Sequence, residues 1–227
     1  MLRGVLLDLD NTLVDQEAAT ADALRGWLPA IGVRFSPELL SLWDEIQERH
    51  MEAWRARTVT FGEQRRRRLR EFLPLIGIGY AEEDLDEIFG GYLAAYESAW
   101  RAFPDVDAAL AAIAAAGLSV AVLTNGSVEQ QHHKLARTGL TGRVGPVFTV
   151  EDVGAAKPDP AAFLGACARW GLSPELVLSV GDRHDLDVLA ARAAGLRAVH
   201  LDRRDEGPHD EPHRIRSLTE LPLSSGL

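Results

Sequence analysis

The sequence predicts an α/β fold: a Rossmann-like, doubly wound parallel sheet whose first strand is followed by an inserted helical bundle. Short branched apolar runs alternate with helical segments in residues 1–15 and 102–201, a pattern typical of parallel strands joined by crossover helices. Residues 16–101 instead hold one helical segment after another with short links, which indicates a small bundle. We therefore divide the chain into an α/β core domain, residues 1–15 and 102–227, and an inserted helical domain, residues 16–101.

Local signals place the individual elements. The predicted strands are 3–9, 118–124, 147–150, 176–180 and 197–201. The predicted helices are 16–30, 37–56, 61–76 and 82–100 in the insert, and 105–116, 127–138, 160–170 and 186–194 in the core. Ser36 before Pro37 predicts an N-cap followed by proline at the first helical position, and Thr60 with Glu63 has the capping-box spacing.

The composition is that of a soluble globular protein. Of the 227 residues, 46% are hydrophobic and 26% are charged. The formal net charge of -10 argues against a general nucleic-acid-binding protein, which needs a basic face, but it does not exclude an anionic substrate. The single cysteine, Cys167, lies in a helical apolar stretch and is expected to be a small buried hydrophobe. With no disulfide, no basic-plus-apolar leader and no apolar run near the roughly 20 residues of a membrane span, we expect a cytoplasmic protein.

The segment Val5–Leu13 carries the strongest chemical signal. It is a short apolar run, typical of a buried strand, that ends in the carboxylates Asp8 and Asp10. Burying two carboxylates is costly unless a cation neutralises them. In open parallel sheets the loops after the strands form the ligand-binding edge. The segment therefore predicts a metal-assisted site at the end of the first strand.

Three further polar segments follow predicted strands. They are Thr124-Asn125-Gly126, Lys157-Pro158-Asp159-Pro160 and Gly181-Asp182-Arg183-His184-Asp185-Leu186-Asp187. Each is a weak signal alone, because Thr-Asn-Gly is usually a turn and Lys-Pro is often only a helix start. In a parallel sheet, however, all three converge with the first segment on the carboxyl edge. Their joint occurrence in this order indicates one shared site.

These four segments resemble, in the same order, the four motifs of the haloacid dehalogenase-like (HAD) hydrolases. The insert resembles the helical cap of the C1 type in that family, and the likeness extends to about Leu201. The resemblance implies a Mg²⁺-dependent phosphatase that acts on a small phosphorylated metabolite through an aspartyl-phosphate. From the charge and the lack of a long apolar run we expect no nucleic-acid or membrane partner, and we expect a monomer or a homodimer. The motifs are specific for the superfamily and not for a substrate.

The resemblance also implies a role for each matched residue. Asp8 would be the nucleophile, and Asp10 would be the general acid for the leaving alcohol and then the base for water. Lys157 would neutralise the nucleophile and the transferring phosphoryl group. The implied phosphate-binding residues are Thr124, Asn125 and Gly126.

For Mg²⁺, the resemblance implies the side chains of Asp8 and Asp182 as ligands, together with the backbone carbonyl of Asp10. Asp187 would support the site by orienting the ligands or by binding through water. Asp185 competes with Asp187 for that role, although it is equally well explained as a carboxylate at the start of a helix.

The second aspartate distinguishes two chemistries within the family. Members that cleave carbon–halogen bonds need no metal and usually carry a tyrosine at the position of Asp10. This chain keeps Asp10, and it has Thr12, which would fix the loop after the nucleophile. Both residues favour phosphoryl chemistry. A phosphomutase or phosphotransferase on the same scaffold is the main alternative, and a 2-haloacid dehalogenase or a non-catalytic binding protein is less favoured.

Other conspicuous residues have structural explanations that we favour. Arg65–Arg68 span all sides of one predicted helix, so at most one or two can point inward, and a solvated face is favoured over a contact with a substrate anion. The tryptophans of the insert are expected to pack in a core. His184, inside the fourth segment, is expected to support its loop or to line the substrate rim.

Overall fold

The computed structural model describes residues 1–223 and contains a six-stranded parallel sheet. The strands are β1 (Gly4–Leu7), β2 (Ser119–Leu123), β3 (Val147–Phe148), β4 (Val177–Gly181), β5 (Arg197–Leu201) and β6 (Arg214–Ile215). They lie in the order β3-β2-β1-β4-β5-β6, and all neighbours are parallel. Because the order runs outward from β1 in both directions, the sheet is doubly wound. The predicted α/β fold is confirmed.

Helices connect the strands and form the insert. They are α1 (Gln16–Ala30), α2 (Pro37–Arg55), α3 (Phe61–Leu75), α4 (Leu85–Ser98), α5 (Val106–Ala115), α6 (Val128–Arg137), α7 (Val150–Val153), α8 (Pro160–Trp170) and α9 (Ala190–Ala193). Ser36 and Thr60 cap α2 and α3 through their hydroxyls, as their positions predicted. Within the described part of the chain, none of these helices has the length and apolar character needed to cross a bilayer.

The chain divides into two compact units. One consists of Met1–Asp15 and the chain from Arg101 onward, and it contains the sheet with α5 to α9. The other is Gln16–Trp100, which contains α1 to α4.

Strand β1 is the centre of the sheet unit. All four of its residues are buried, and since successive side chains point to opposite faces, both faces of the sheet are covered here. Leu6 belongs to the main core cluster, which also contains Phe148, Phe163 and the buried Cys167. The end of β1, and therefore Asp8, is held in the middle of the carboxyl edge by the most buried part of the unit.

The structure corrects the element prediction after β2. The predicted strand 147–150 is only two residues long, because Thr149 caps α7, a helical turn that was not predicted. The Asp152 N–H donates to the Thr149 hydroxyl (3.4 Å), and the Thr149 N–H donates to the Asp152 carboxylate (2.9 Å), which forms a capping box. The two-residue strand β6 was also not predicted, because so short a segment shows no hydrophobic periodicity.

The predicted helix 186–194 also differs. It begins two residues earlier, with a π-helical turn at His184–Leu189, and only then continues as α9. Such turns are rare and concentrate at functional sites.

Aromatic side chains fill the interior of the helical unit. The fully buried Trp43 contacts Trp27, Phe72, Phe89 and Tyr92, with ring centroids 4.6 to 6.4 Å apart. The Trp43 indole N–H donates to the Tyr92 hydroxyl (3.2 Å), which satisfies the one polar group of that ring. These tryptophans therefore have the packing role expected from the sequence.

One residue of the arginine run points inward. Arg68 is buried on α3, where it donates to the Gln47 side-chain oxygen (2.6 Å) and lies over the Phe89 ring. Burial lowers the pKa of Arg68 to about 10. Arg66 and Arg67 remain at the surface in ion pairs with acidic side chains. The half-buried Arg65 also lies over the Phe89 ring, so the helix turns Arg68 and part of Arg65 toward its unit and a charged face elsewhere.

Gln64, one turn before Arg68, gives a stability prediction. It is fully buried, and neither atom of its amide has a hydrogen-bond partner among residues 1–223. An unsatisfied buried amide costs about 1–3 kcal/mol, so Gln64→Leu is expected to raise the free energy of unfolding by about 1 kcal/mol. Urea denaturation measures this change, and Arg67→Leu on the exposed face of α3 is the control, expected within about 0.5 kcal/mol of the wild type. A destabilised Gln64→Leu variant would mean that the amide is satisfied.

Candidate active site

The carboxyl ends of the three central strands lie side by side. Leu7 of β1 is in register with Val122 of β2 and with Val180 of β4. The Asp8 N–H donates to the Val180 carbonyl (2.9 Å), so the ladder extends to Asp8 itself. The residues that follow the three strands are therefore brought to one edge, as parallel pairing requires.

Three aspartates meet at this edge around one lysine. Asp8, Asp182 and Asp187 each offer a carboxylate oxygen, and these oxygens lie within 4.8 Å of one another. The Lys157 ammonium lies 2.6 Å from an oxygen of Asp8 and 2.6 Å from an oxygen of Asp187. Its side chain is only 4% exposed. With three negative charges and one positive, the ionised cluster has a net charge of 1 − 3 = −2.

The pKa values reflect this excess of negative charge. Burial raises the pKa of Asp8 to about 7, and repulsion from Asp187 and Asp10 adds to the effect, although Lys157 opposes it. Burial, with the charges of Asp8 and Asp187, also raises the pKa of Asp182 well above its usual value. Burial lowers the pKa of Lys157, but its two carboxylate partners outweigh burial and raise it, so the lysine stays charged. The single positive charge of Lys157 therefore does not neutralise the three carboxylates of the cluster.

The π-helical turn places Asp187 in the cluster and leaves Asp185 outside it. The Asp187 carboxylate is buried and accepts the Arg183 N–H (3.0 Å), whereas the Asp185 side chain is 63% exposed beside Arg183. Gly181 makes room for Asp187, since a Cβ at position 181 would lie 2.3 Å from its carboxylate carbon. Of the two candidates left open by the sequence, Asp187 is therefore the one at the site.

Thr12 and Asn11 shape the loop that follows Asp8 and Asp10. The buried Thr12 hydroxyl donates to the Asp182 carboxylate (3.5 Å), which ties the first segment to the fourth. Asn11 adopts a left-handed backbone with φ 61°, a conformation that asparagine tolerates better than most residues. Its N–H donates to the Val14 carbonyl (2.7 Å) and closes the turn.

The second segment holds the third in place. The Asn125 side chain donates to the Lys157 carbonyl (2.8 Å) and accepts the Lys157 N–H (2.8 Å). The predicted phosphate-binding residue Asn125 thus uses both ends of its amide to fix the backbone of the lysine. Thr124 is buried, and its hydroxyl accepts the Gly126 N–H (3.3 Å).

Sequence reasoning missed two residues at this edge, Gln131 and Lys134 on α6. Lys134 forms an ion pair with the carboxylate of Asp10, and the Gln131 amide donates to the other oxygen of that carboxylate (3.0 Å). Among the described residues, the group with metal-ligand geometry does not include the Asp10 carboxylate. A signal was present, because both polar residues share one helical face with the buried Leu135.

His184 has a structural partner in the sheet unit. Its ring lies 3.0 Å from Glu211, which also accepts two hydrogen bonds from Arg192 (2.7 and 2.8 Å). The neighbouring His200 ring contacts the Asp182 carbonyl (3.0 Å), so it supports the backbone of a cluster aspartate. His200 carried no distinguishing signal in the sequence.

Glu211 predicts a dependence of stability on pH. Its side chain is 3% exposed, and the hydrogen bonds from Arg192, with help from the His213 N–H and His184, lower its pKa from 4.5 to about 2. A carboxyl whose pKa is lowered by folding stabilises the fold at pH values above its pKa in the unfolded chain. This contribution is lost as the pH falls from about 4.5 to about 2. Glu211→Gln is expected to lower the free energy of unfolding by about 3 kcal/mol at pH 7, and by less near pH 3. Equal losses in urea melts at both pH values would contradict this.

Comparisons with known proteins identify the family of the chain. A family model described as haloacid dehalogenase-like hydrolase matches residues 2–195. The phosphoserine phosphatase of Thermus thermophilus is 35% identical over 204 residues, which are 88% of this chain and 78% of that protein. The glyceraldehyde 3-phosphate phosphatase of Methanopyrus kandleri is 29% identical over 238 residues, which are 97% of each protein.

The fold has a close match among solved structures. A dehalogenase solved with an intermediate complex has a TM-score of 0.78 and 26% identity, covering 96% of this chain and 95% of its own. Likeness of fold does not by itself select an activity, because one scaffold can host several chemistries. The family model, in contrast, spans nearly the whole chain and matches the segments that form the acidic cluster. This chain therefore belongs to the haloacid dehalogenase-like hydrolases and is an enzyme of that family.

Proposed function

We propose that this enzyme is a Mg²⁺-dependent phosphatase that hydrolyses the phosphate monoester of a small metabolite through an aspartyl-phosphate on Asp8. The observation that carries the proposal is the pairing of Asp8 with the buried Lys157, next to two further carboxylates. The names of the relatives support the substrate class, because phosphoserine and glyceraldehyde 3-phosphate are both small phosphate monoesters.

We assign the chemistry to the unit that contains the sheet. We further propose that the helical unit, Gln16–Trp100, is a cap of the C1 type that selects the substrate.

The donor set of the cluster fits Mg²⁺. Asp8, Asp182 and Asp187 are all oxygen donors, and their net charge with Lys157 is balanced by one divalent ion. These three side chains would hold the ion, which neutralises charge on the phosphoryl group when it is bound. Asp187 would then bind the ion directly, in addition to holding the Lys157 ammonium in place.

In the first half of the reaction, a carboxylate oxygen of Asp8 attacks phosphorus while the bond from phosphorus to the ester oxygen breaks. Asp10 donates its proton to that leaving oxygen, which departs as the alcohol. Lys157 keeps Asp8 in place and offsets the negative charge that collects at the reacting centre.

In the second half, a water oxygen attacks the same phosphorus and the bond from phosphorus to Asp8 breaks. Asp10, now a carboxylate, accepts the proton of that water. The products are inorganic phosphate, the free carboxylate of Asp8 and a protonated Asp10, so the enzyme returns to its starting state.

A screen for phosphate release tests the proposal. The panel contains O-phosphoserine, glyceraldehyde 3-phosphate, 2-phosphoglycolate, a sugar phosphate and p-nitrophenyl phosphate, each with Mg²⁺ and with excess EDTA. We expect phosphate release from at least one ester and its loss in EDTA.

Other products would identify the rival activities. Transfer of phosphate to an added sugar in place of water would indicate a phosphotransferase or mutase. Halide release from a 2-haloacid in EDTA would indicate a dehalogenase. Folded, Mg²⁺-loaded protein that releases neither product would overturn the enzymatic assignment to phosphate esters.

A further inference from the structure

Asp10 is held by two buried side chains that the mechanism above does not use. The Lys134 ammonium pairs with one carboxylate oxygen of Asp10, and the Gln131 amide donates to the other (3.0 Å). The Lys134 side chain is 2% exposed, and Gln131 is buried beside it on α6. Both oxygens of the Asp10 carboxylate are therefore engaged by one helix.

Packing alone does not explain this pair. A buried ammonium costs free energy unless it is paired, and the face of α6 that it occupies also carries the buried Leu135. A leucine or methionine at position 134 would fill the same space without that cost. The presence of lysine is explained if its charge is required at Asp10.

The second segment is built around Gln131, which is an independent observation. The Gln131 amide also donates to the Thr124 hydroxyl (2.8 Å), so it bridges Thr124 and Asp10. A Cβ at position 126 would lie 2.1 Å from the same amide nitrogen, so a side chain there would displace Gln131. Gly126, which the resemblance implies binds substrate, also makes space for Gln131.

The two lysines of the site have separate partners. Lys157 pairs with Asp8 and Asp187, whereas Lys134 pairs with Asp10. Asp8, the proposed nucleophile, and Asp10, the proposed proton-transfer group, are therefore each paired with a different lysine. The contacts with Lys134 and Gln131 tie the Asp10 carboxyl to α6.

We propose that Gln131 and Lys134 are positioning residues that hold the Asp10 carboxyl in the orientation required for proton transfer to the leaving oxygen. This inference rests on the proposed phosphatase activity. It assigns a function in the reaction to α6, which lies outside the four segments.

The dependence on the leaving group separates positioning from a general structural role. An alkoxide needs a proton as it leaves, whereas p-nitrophenolate leaves without one. If Lys134 orients Asp10, Lys134→Met should lower kcat/KM for an alkyl phosphate about 10- to 100-fold and for p-nitrophenyl phosphate less than about 3-fold. Asp10→Asn should show the same pattern with a larger loss, and Lys134→Arg, which keeps a cationic donor, should recover part of the loss.

Two further variants complete the test. Gln131→Met should also lower kcat/KM more for the alkyl phosphate than for p-nitrophenyl phosphate, although by a smaller factor. If Lys134→Met does not fold, Gln131→Met takes its place in the test. Arg137→Met, at an exposed position of the same helix, is the matched control, expected to leave both substrates unaffected.

Equal losses of kcat/KM on both substrates, or no loss on either, would overturn the inference while leaving the phosphatase proposal intact. A wild-type protein that hydrolyses neither substrate would mean that the phosphatase proposal itself has failed. The two failures are therefore distinguishable in one set of assays.

Discussion

Asp8→Asn is expected to lower the rate of phosphate release at least about 1,000-fold while increasing the stability of the metal-free protein at neutral pH. The amide cannot attack phosphorus, so no aspartyl-phosphate forms. The stability gain follows from the same side chain, because burial and the neighbouring aspartates disfavour its charge. Steady-state assays with Mg²⁺ and urea melts in EDTA measure the two effects on one preparation.

The pH dependence of this stability gain has a defined sign. Burial raises the pKa of Asp8 from 3.8 to about 7 in the folded protein, so the wild type loses stability as the pH rises through that interval. The asparagine variant lacks this loss, and its stability advantage over the wild type should grow to about 4 kcal/mol by pH 8. Asp107→Asn, at an exposed residue of α5, is the control and should change neither property. A variant that is less stable than the wild type in EDTA would contradict the charge argument.

The sequence was sufficient to predict the sheet because its strands are buried on both faces and read as continuous apolar runs. Each long strand was found, and the polar residues at their ends were placed at one edge. The parts that were missed have local causes. β3 ends early because Thr149 and Asp152 form a capping box, and β6 is too short to show a pattern.

The candidate site was predictable where its residues follow strands. The choice between Asp185 and Asp187 could not be predicted from the sequence. A π-helical turn brings Asp187 to Lys157, and a regular helix would place the two aspartates differently. Gln131 and Lys134 were missed for another reason. They lie within a helix, where a polar residue is ordinarily solvent-exposed, and their position on the same helical face as the buried Leu135 was a weak signal against that expectation.

The arginine run shows a similar limit. Periodicity restricts how many of Arg65–Arg68 can point inward, but it does not say which one. The structure selects Arg68, since it shares the buried face of α3 with Gln64 and Leu69. Tertiary packing decides which face of a helix turns inward. In a single sequence, the positions of the apolar residues are the main indication of that face.

Asp182→Asn is expected to weaken activation by Mg²⁺ without removing the nucleophile. Asp182 contributes one of the three carboxylates of the cluster, and its neutralisation changes the net charge from −2 to 1 − 2 = −1. We expect the Mg²⁺ concentration for half-maximal activity to rise about 10- to 100-fold. The shift of Tm that Mg²⁺ produces in the wild type should be lost at the same metal concentration.

The matched comparison is Lys157→Met, which changes the charge of the cluster in the opposite direction, to −3. Both variants should lose activity, but their stabilities in EDTA should move oppositely. Asp182→Asn removes repulsion and should stabilise the metal-free protein, whereas Lys157→Met leaves Asp8 and Asp187 without their ammonium partner and should destabilise it by about 3 kcal/mol. Mg²⁺ should then restore more stability to Lys157→Met than to the wild type, since a divalent ion offsets the missing charge. If Asp182→Asn kept the Mg²⁺ dependence of the wild type, the metal would be held by other groups, and the role proposed for this cluster would be wrong.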